Sequence, residues 1–371
     1  MIKIVAVGDM MPGGILAGVN ANYVSRDVLD CLQDADIRVG TLETAIGNVP
    51  NFNEEKMKRL GDVIYAKDAD LNKLKQLSFD IVSLANNHYY DLGLDGARHT
   101  IKLLDELGIQ HIGAGNNIQE ASAPVVKVIH DKKVAFLAFC DKEKMGWCPW
   151  ATETSPGINP MYDDYVVSEI KKYKKQNDYV VVMPHWGREH TWVTSARVYK
   201  MAKKMMKAGA DLILGSHPHR VQPVVNYKKA SVAYSMGNFL FPDRLIVKPR
   251  STYYPEEPID LTTLPVTDAY PYVECVTYKK WKPLARVGMV VHSELDGNRS
   301  KTSYKLTIEK EDGIISFFDD KQINSMLKKR ECLLKYSPYP ITLFIDKFST
   351  SFFHKIGLKN RKDITINLDG D

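Results

Sequence analysis

The chain has 371 residues, enough to bury a sizeable core in one large domain or two. Fifty basic residues stand against forty-five acidic ones, a net charge of +5, and this mild excess is far from a nucleic-acid footprint. The chain has no run of about 18 apolar residues and starts on the strand-like IKIVAV. Its five cysteines have no CxxC spacing, so a reduced, cytoplasmic, non-exported protein without a transmembrane segment is expected.

Residues 2–7 (IKIVAV) predict the first strand, which runs into Gly8-Asp9. IRVGTL then leads to Glu43. Residues 79–84 (FDIVSL) predict a strand that ends in Asn86-Asn87-His88. A helix is expected over 95–108, with Ala97, Ile101, Leu104 and Leu107 on one face and Gly108 as its stop. Residues 134–139 (VAFLAF) and 179–183 (YVVVM) predict two further strands, the second followed by His185-Trp186. A helix over 195–209 starts at a Ser cap and ends at Gly209. Residues 211–214 (DLIL) lead to Ser216-His217-Pro218-His219, and 231–235 (SVAYS) predict another strand. Apolar strands alternating with amphipathic helices argue for an α/β fold with substantially parallel sheets covered on both faces.

Beyond about residue 244 the texture changes. Residues 248–272 hold five prolines and read as a long loop or insertion. Residues 285–310 look like paired strands around an Asp-Gly-Asn turn at 296–298. From about 321 a basic helix precedes aromatic-rich segments; a smaller C-terminal unit is one reading of this part.

Five strand-to-loop junctions thus end in groups able to bind metal or transfer a proton. In open α/β sheets such strand ends are where sites are built. Carboxylates and imidazoles together hold Mn, Fe or Zn, an amide oxygen can complete the shell, and a bridging carboxylate, for which Glu43 is the natural candidate, suits a pair of ions. Taken singly, each residue has a plainer explanation. Asp9 could be a turn or cap aspartate, Glu43 a surface carboxylate, Asn86-Asn87 turn chemistry, and His88 or His185 a satisfied histidine. His217-x-His219 resists this better, because alternate residues of an extended segment reach the same face. Convergence at five junctions is what points to a site. The chain has no P-loop and no GxSxG elbow.

At these residues the sequence resembles the CapA family, the poly-gamma-glutamate or capsule-biosynthesis proteins related to calcineurin-like metallophosphoesterases. The matching stretches are VGDMMPGG (7–14), VGTLETAIG (39–47), ANNHYYDLGLDGARHTIKLLDELGIQHIGAGNN (85–117), MPHWGREH (183–190), GADLILGSHPHRVQPV (209–224) and AYSMGNFLF (233–241). The resemblance covers residues 1–243. It implies a layered α/β/β/α metallophosphoesterase-like sandwich over 1–320, with an insertion at about 244–272 and a C-terminal extension, 321–371, of unknown role. It further implies one or two divalent ions (Mn, Fe or Zn) held by Asp9, Glu43, Asn87, His185, His217 and His219. His88 is the catalytic histidine it implies, and Asp91 and Glu189 are read as groups orienting His88 and His185. Met11 departs from the superfamily's Asp-x-His, which leaves fewer expected ligands on the Asp9 side.

The expected function is that of a metal-dependent hydrolase of capsule or poly-gamma-glutamate metabolism. It would cleave a phosphoester or an amide of an anionic polymer with metal-activated water. A non-catalytic accessory or scaffold role beside polymer-synthase subunits is the alternative, with peripheral membrane association through such a partner. Nucleic acid is not an expected partner.

Overall fold

The computed structural model describes residues 1–48, 62–141, 148–248, 250–269, 273–297 and 299–336. In chain order the elements that frame the site begin with β1 (Ile2–Met10), α1 (Arg26–Gln33), β2 (Ile37–Leu42), β3 (Ile81–Ser83), α2 (Gly93–Leu107), β4 (Gln110–Ile112), β5 (Val125–Ile129) and β6 (Lys132–Cys140). Next come α3 (Asp163–Lys174), β7 (Tyr179–His185), α4 (Ala196–Ala208), β8 (Leu212–Leu214), β9 (Val224–Asn226), β10 (Ser231–Ala233) and β11 (Asn238–Leu240). The chain continues with β12 (Arg244–Val247), β13 (Ser251–Tyr253), β14 (Val266–Thr267), β15 (Thr277–Lys279), β16 (Val287–Asp296), β17 (Arg299–Glu309), β18 (Ile315–Phe317) and α5 (Lys321–Tyr336).

Two mixed sheets face one another. The first runs β18-β17-β16-β1-β2-β3-β4, with β11 pairing the end of β1. The second runs β9-β10-β8-β7-β6-β5. Their centres are parallel, as the apolar runs predict, while β16, β5 and β9 pair antiparallel with their neighbours. Side-chain alternation along β6 sets the layers. Phe136, Ala138 and Cys140 join the core shared with Val5, Val7 and Val39. Ala135, Leu137 and Phe139 instead meet Val166 and Ile170 of α3 and Val198, Ala202 and Met205 of α4. Val28 and Leu32 of α1 and Ala97 and Leu104 of α2 cover the first sheet. The result is helix, sheet, sheet, helix.

Local signals account for the helix ends. Ser195 Oγ accepts from Val198 N at the start of α4, and Gly108 and Gly209 take left-handed φ of +72° and +117° after α2 and α4.

The carboxyl half differs from the reading of its composition. The proline-rich stretch is not one long loop: it contributes β13 and β14 to a four-stranded sheet in the order β13-β12-β15-β14, with Pro255, Pro258 and Pro265 falling between strands. The paired strands expected over 285–310 are the hairpin β16–β17, which joins the first sheet: β16 pairs β1 from Ile2↔Leu295 to Val7↔Val290. Ile323 and Leu327 of α5 lie in the main core, and Leu334 lies in the helix-covered one. The expected aromatic-rich tail after residue 336 lies outside the described residues.

Among the described residues no helix is long and apolar enough to cross a membrane. The described cysteines are all free thiols.

Candidate metal centre

β1 delivers Asp9 into a crowded backbone crossing. Asp9 N donates to Gly237 O at 2.9 Å, and Asp9 pairs Thr41 on one side and Asn238 on the other. Gly8 makes this approach possible, since a Cβ there would lie 1.8 Å from Gly237 O. Glu43 follows the end of β2, Asn87 and His88 follow β3, His185 closes β7, and His217 and His219 follow β8. All seven side chains are buried.

Two donor groups result. Glu43, His185 and His217 offer one ligand atom each within 4.8 Å of one another, and so do Asp9, Glu43 and His219. Glu43 belongs to both. Around His185 Nε2 lie Asn87 Oδ1 at 2.8 Å, His217 Nδ1 at 3.1 Å and Glu43 Oε1 at 3.3 Å. Donor–donor gaps of that size are the edges of a coordination polyhedron with bonds of roughly 2.0–2.2 Å.

The donor chemistry fits a divalent cation. Burial pushes His185 down to about 4 and His219 well below its ordinary value, so both are neutral imidazoles, the form that ligates metal. Burial, then the charge of Glu43, pushes the Asp9 carboxyl well above the usual range; a bound cation reverses that penalty. Asp9 Oδ1 is buried with no hydrogen-bond partner among the described residues, an orphan acceptor that a cation would satisfy.

The surrounding groups orient the donors. His185 Nδ1 meets Ser216 Oγ at 2.9 Å, and His219 Nδ1 meets Asn238 Oδ1 at 2.8 Å. The strand-end pattern includes Ser216 without giving it a role and does not include Asn238, although both lie in the matching stretches. His217 and His219 hold positive φ, +95° and +49°, strained backbone of the kind found at sites. His88 Nδ1 meets Asp91 Oδ2 at 2.7 Å, and that oxygen also accepts from Ile64 N at 2.7 Å. The pair fixes the ring and turns Nε2 away from Asp91.

Two further expected positions are Glu189 and Met11. Glu189 is expected to orient His185; Ser216 Oγ and Asn87 Oδ1 meet the two nitrogens of that ring, and Glu189 approaches His190 at 4.0 Å. Met11 is buried and its Sγ accepts from Gly13 N at 3.3 Å; the donors on that side are Asp9, Glu43 and His219.

A family model described as "Bacterial capsule synthesis protein PGA_cap" matches residues 3–243. The "Capsule biosynthesis protein CapA" of Bacillus anthracis is 35% identical over 243 residues, which are 63% of this chain and 58% of that protein. The "PGA biosynthesis protein CapA" of Bacillus subtilis (strain 168) is 28% identical over 240 residues, 63% of this chain and 62% of that one. The match thus spans about three-fifths of these relatives' length. Among solved structures, the calcineurin-like phosphoesterase YfkN of Bacillus subtilis is similar at 16% identity with a TM-score of 0.43, over 93% of this chain and 98% of that one.

Proposed function

The chain belongs to the PGA_cap family of bacterial capsule synthesis proteins, and from that premise we propose that it is a metal-dependent hydrolase of capsule or poly-gamma-glutamate metabolism. The observation that carries this reading is Glu43, shared by two donor groups of three residues. That is the arrangement a pair of bridged cations needs.

In this reading Asp9, Glu43 and His219 hold one cation, and Glu43, Asn87, His185 and His217 hold the other. Manganese, iron or zinc suits this mixture of carboxylate, amide and imidazole. Bound cations activate water and stabilise charge on the attacked group of a phosphoester or an amide. The chain's own residues do the rest. Ser216 and Asn238 fix the planes of His185 and His219. His88, steadied by Asp91, hands a proton from Nε2 to the leaving group. The walls around these donors are buried, which keeps charge interactions strong.

The deciding experiment is elemental analysis of the purified chain, joined to hydrolysis assays on a phosphodiester and on a gamma-linked glutamate oligomer. Two ions per chain, with hydrolysis lost in His217→Ala and His88→Ala, is the expected result. A folded protein that takes up no manganese, iron or zinc would end the proposal.

A second reading is favoured by Met11. Its thioether, a poor ligand for a hard cation, serves the Gly13 amide instead. A chain that keeps the fold as an accessory to polymer-synthase subunits would tolerate this. Co-purification with those subunits, and wild-type function in His88→Ala, would favour it over hydrolysis.

A further inference from the structure

The family match ends at residue 243, and the His219 side of the centre is covered by residues beyond it. Two residues after β15, Trp281 lies against His219 with ring centroids 5.3 Å apart. Phe241 packs on the same indole at 5.3 Å and His190 at 6.1 Å. The Trp281 backbone is anchored: its N–H donates to Asp243 Oδ1 at 2.7 Å, while Asp243 Oδ2 accepts from the Arg286 guanidinium and from the Tyr278 hydroxyl.

The indole N–H of this fixed ring is buried and has no hydrogen-bond partner among the described residues. A donor in that position is costly unless an acceptor arrives. Its surroundings select the kind of acceptor. Lys279 Nζ sits 5.5 Å from the Trp281 ring and the Arg244 guanidinium 5.9 Å. Arg220 lies beside His219 and donates to its carbonyl at 2.7 Å. His190 lies in the combined field of Arg220, Lys279 and Lys282. Acidic residues offset part of this charge: Asp62 serves both Arg244 and Arg250, Asp268 lies 3.8 Å from Lys282, and Glu189 lies 4.0 Å from His190.

We propose that Trp281, with Lys279 and Arg220, forms an anion-binding subsite beside His219 that takes an acidic group of the substrate flanking the bond to be cleaved. An indole N–H and two cations suit an oxyanion, carboxylate or phosphate alike. The proposal rests on the hydrolase reading only for the fate of the ligand. The subsite itself stands on the orphan donor and the charges around it. It makes a polyanion a better ligand than a molecule with one acidic group, and it places two of its three residues, Trp281 and Lys279, outside the matched region.

The test is calorimetry on the full chain loaded with manganese, titrated with a gamma-linked glutamate trimer and, separately, with inorganic pyrophosphate. Trp281→Phe keeps the ring and removes the donor; Lys279→Gln removes a charge at similar length. Each is expected to weaken trimer binding about tenfold without changing manganese content, while an amide-capped trimer binds weakly and alike to all three proteins. Weakening confined to pyrophosphate assigns the subsite to phosphate instead. Folded, manganese-replete variants that bind both anions as the wild type does overturn the proposal. Hydrolysis products separate the two readings. Binding that depends on Trp281 without any product from the trimer, from pyrophosphate or from a phosphodiester ends the hydrolase reading and leaves the subsite, whereas turnover with a KM unmoved by either variant ends the subsite and leaves the hydrolase.

Discussion

His217 and Asp9 meet across 208 residues: the His217 amide donates to Asp9 Oδ2 at 3.0 Å, while the His217 backbone holds a φ of +95°. The end of β1 and the loop after β8 are therefore tied by a carboxylate whose other oxygen, Oδ1, is buried with no hydrogen-bond partner among the described residues. Asp9→Asn keeps an acceptor for His217 and removes the charge. Manganese content measured by mass spectrometry is expected to fall from two ions per chain to one, with the melting temperature little changed. Glu43→Gln is expected to lose both ions. Unchanged stoichiometry in Asp9→Asn would separate Asp9 from the metal.

The clustering of Asp9, Glu43, His185, His217 and His219 is legible in the sequence because each follows an apolar strand, and strand ends of parallel sheets converge. What orients them is not. Ser216 and Asn238 look like ordinary loop polars until β7, β8 and β11 are placed side by side. Trp281 lies beyond the matched stretches, and only the packing of its ring against His219 brings it to the centre. The hairpin β16–β17 is recognisable from its alternation as strands that complete a sheet, but that its partner is β1 is a long-range contact that no local pattern contains. The proline-rich stretch misled because proline marks the breaks between short strands as readily as an open loop.

Asn238 is the clearest test of an orienting group. Its Oδ1 faces His219 Nδ1 at 2.8 Å, and its Nδ2 donates to Ala285 O at 3.0 Å. Asn238→Leu removes both bonds at similar volume. Affinity for the ion on the Asp9 and His219 side is expected to drop 10- to 100-fold, as read by manganese titration, with the other site unaffected. Equal loss at both sites would point to a general collapse instead.

His88 and Asp91 separate chemistry from binding. His88→Ala is expected to cost on the order of 10²–10⁴ in turnover with metal content intact. Asp91→Asn weakens the hold on the ring and frees Ile64 N from a charged acceptor, so a smaller loss in turnover and some loss of stability should appear together. A pH–rate profile unchanged in shape in Asp91→Asn would show that the carboxylate does not act on His88.

Gly8 reports on how tightly β1 and the 236–238 segment approach. Its added Cβ would fall 1.8 Å from Gly237 O and 3.0 Å from Met236 C, both backbone atoms with no freedom to turn aside. Gly8→Ala is expected to destabilise the fold by at least ~2 kcal/mol and to lower metal content, because Asp9 is the next residue. A chemical denaturation curve superposing on the wild type would contradict this.

Glu309 predicts how stability depends on pH. Its Oε2 accepts from Phe241 N at 2.9 Å, and burial, more than any neighbouring charge, pushes the carboxyl from its ordinary 4.5 up to about 8. The Arg286 charge works against this shift and Asp243 with it. A carboxyl with a raised value in the folded state binds a proton more tightly there than in the unfolded chain. Between about pH 4.5 and 8 the folded form keeps the proton that the unfolded form has lost, so the group's contribution falls as pH rises and levels off above 8. At about 1.4 kcal/mol per pH unit, the interval is worth roughly 5 kcal/mol as an upper bound. Glu309→Gln keeps an acceptor for Phe241 N and has no proton to lose. The variant is expected to match the wild type near pH 5 and to exceed it by a few kcal/mol at pH 8–9 in urea denaturation. Parallel stability curves for the two proteins across that range would mean that Glu309 is not the titrating group.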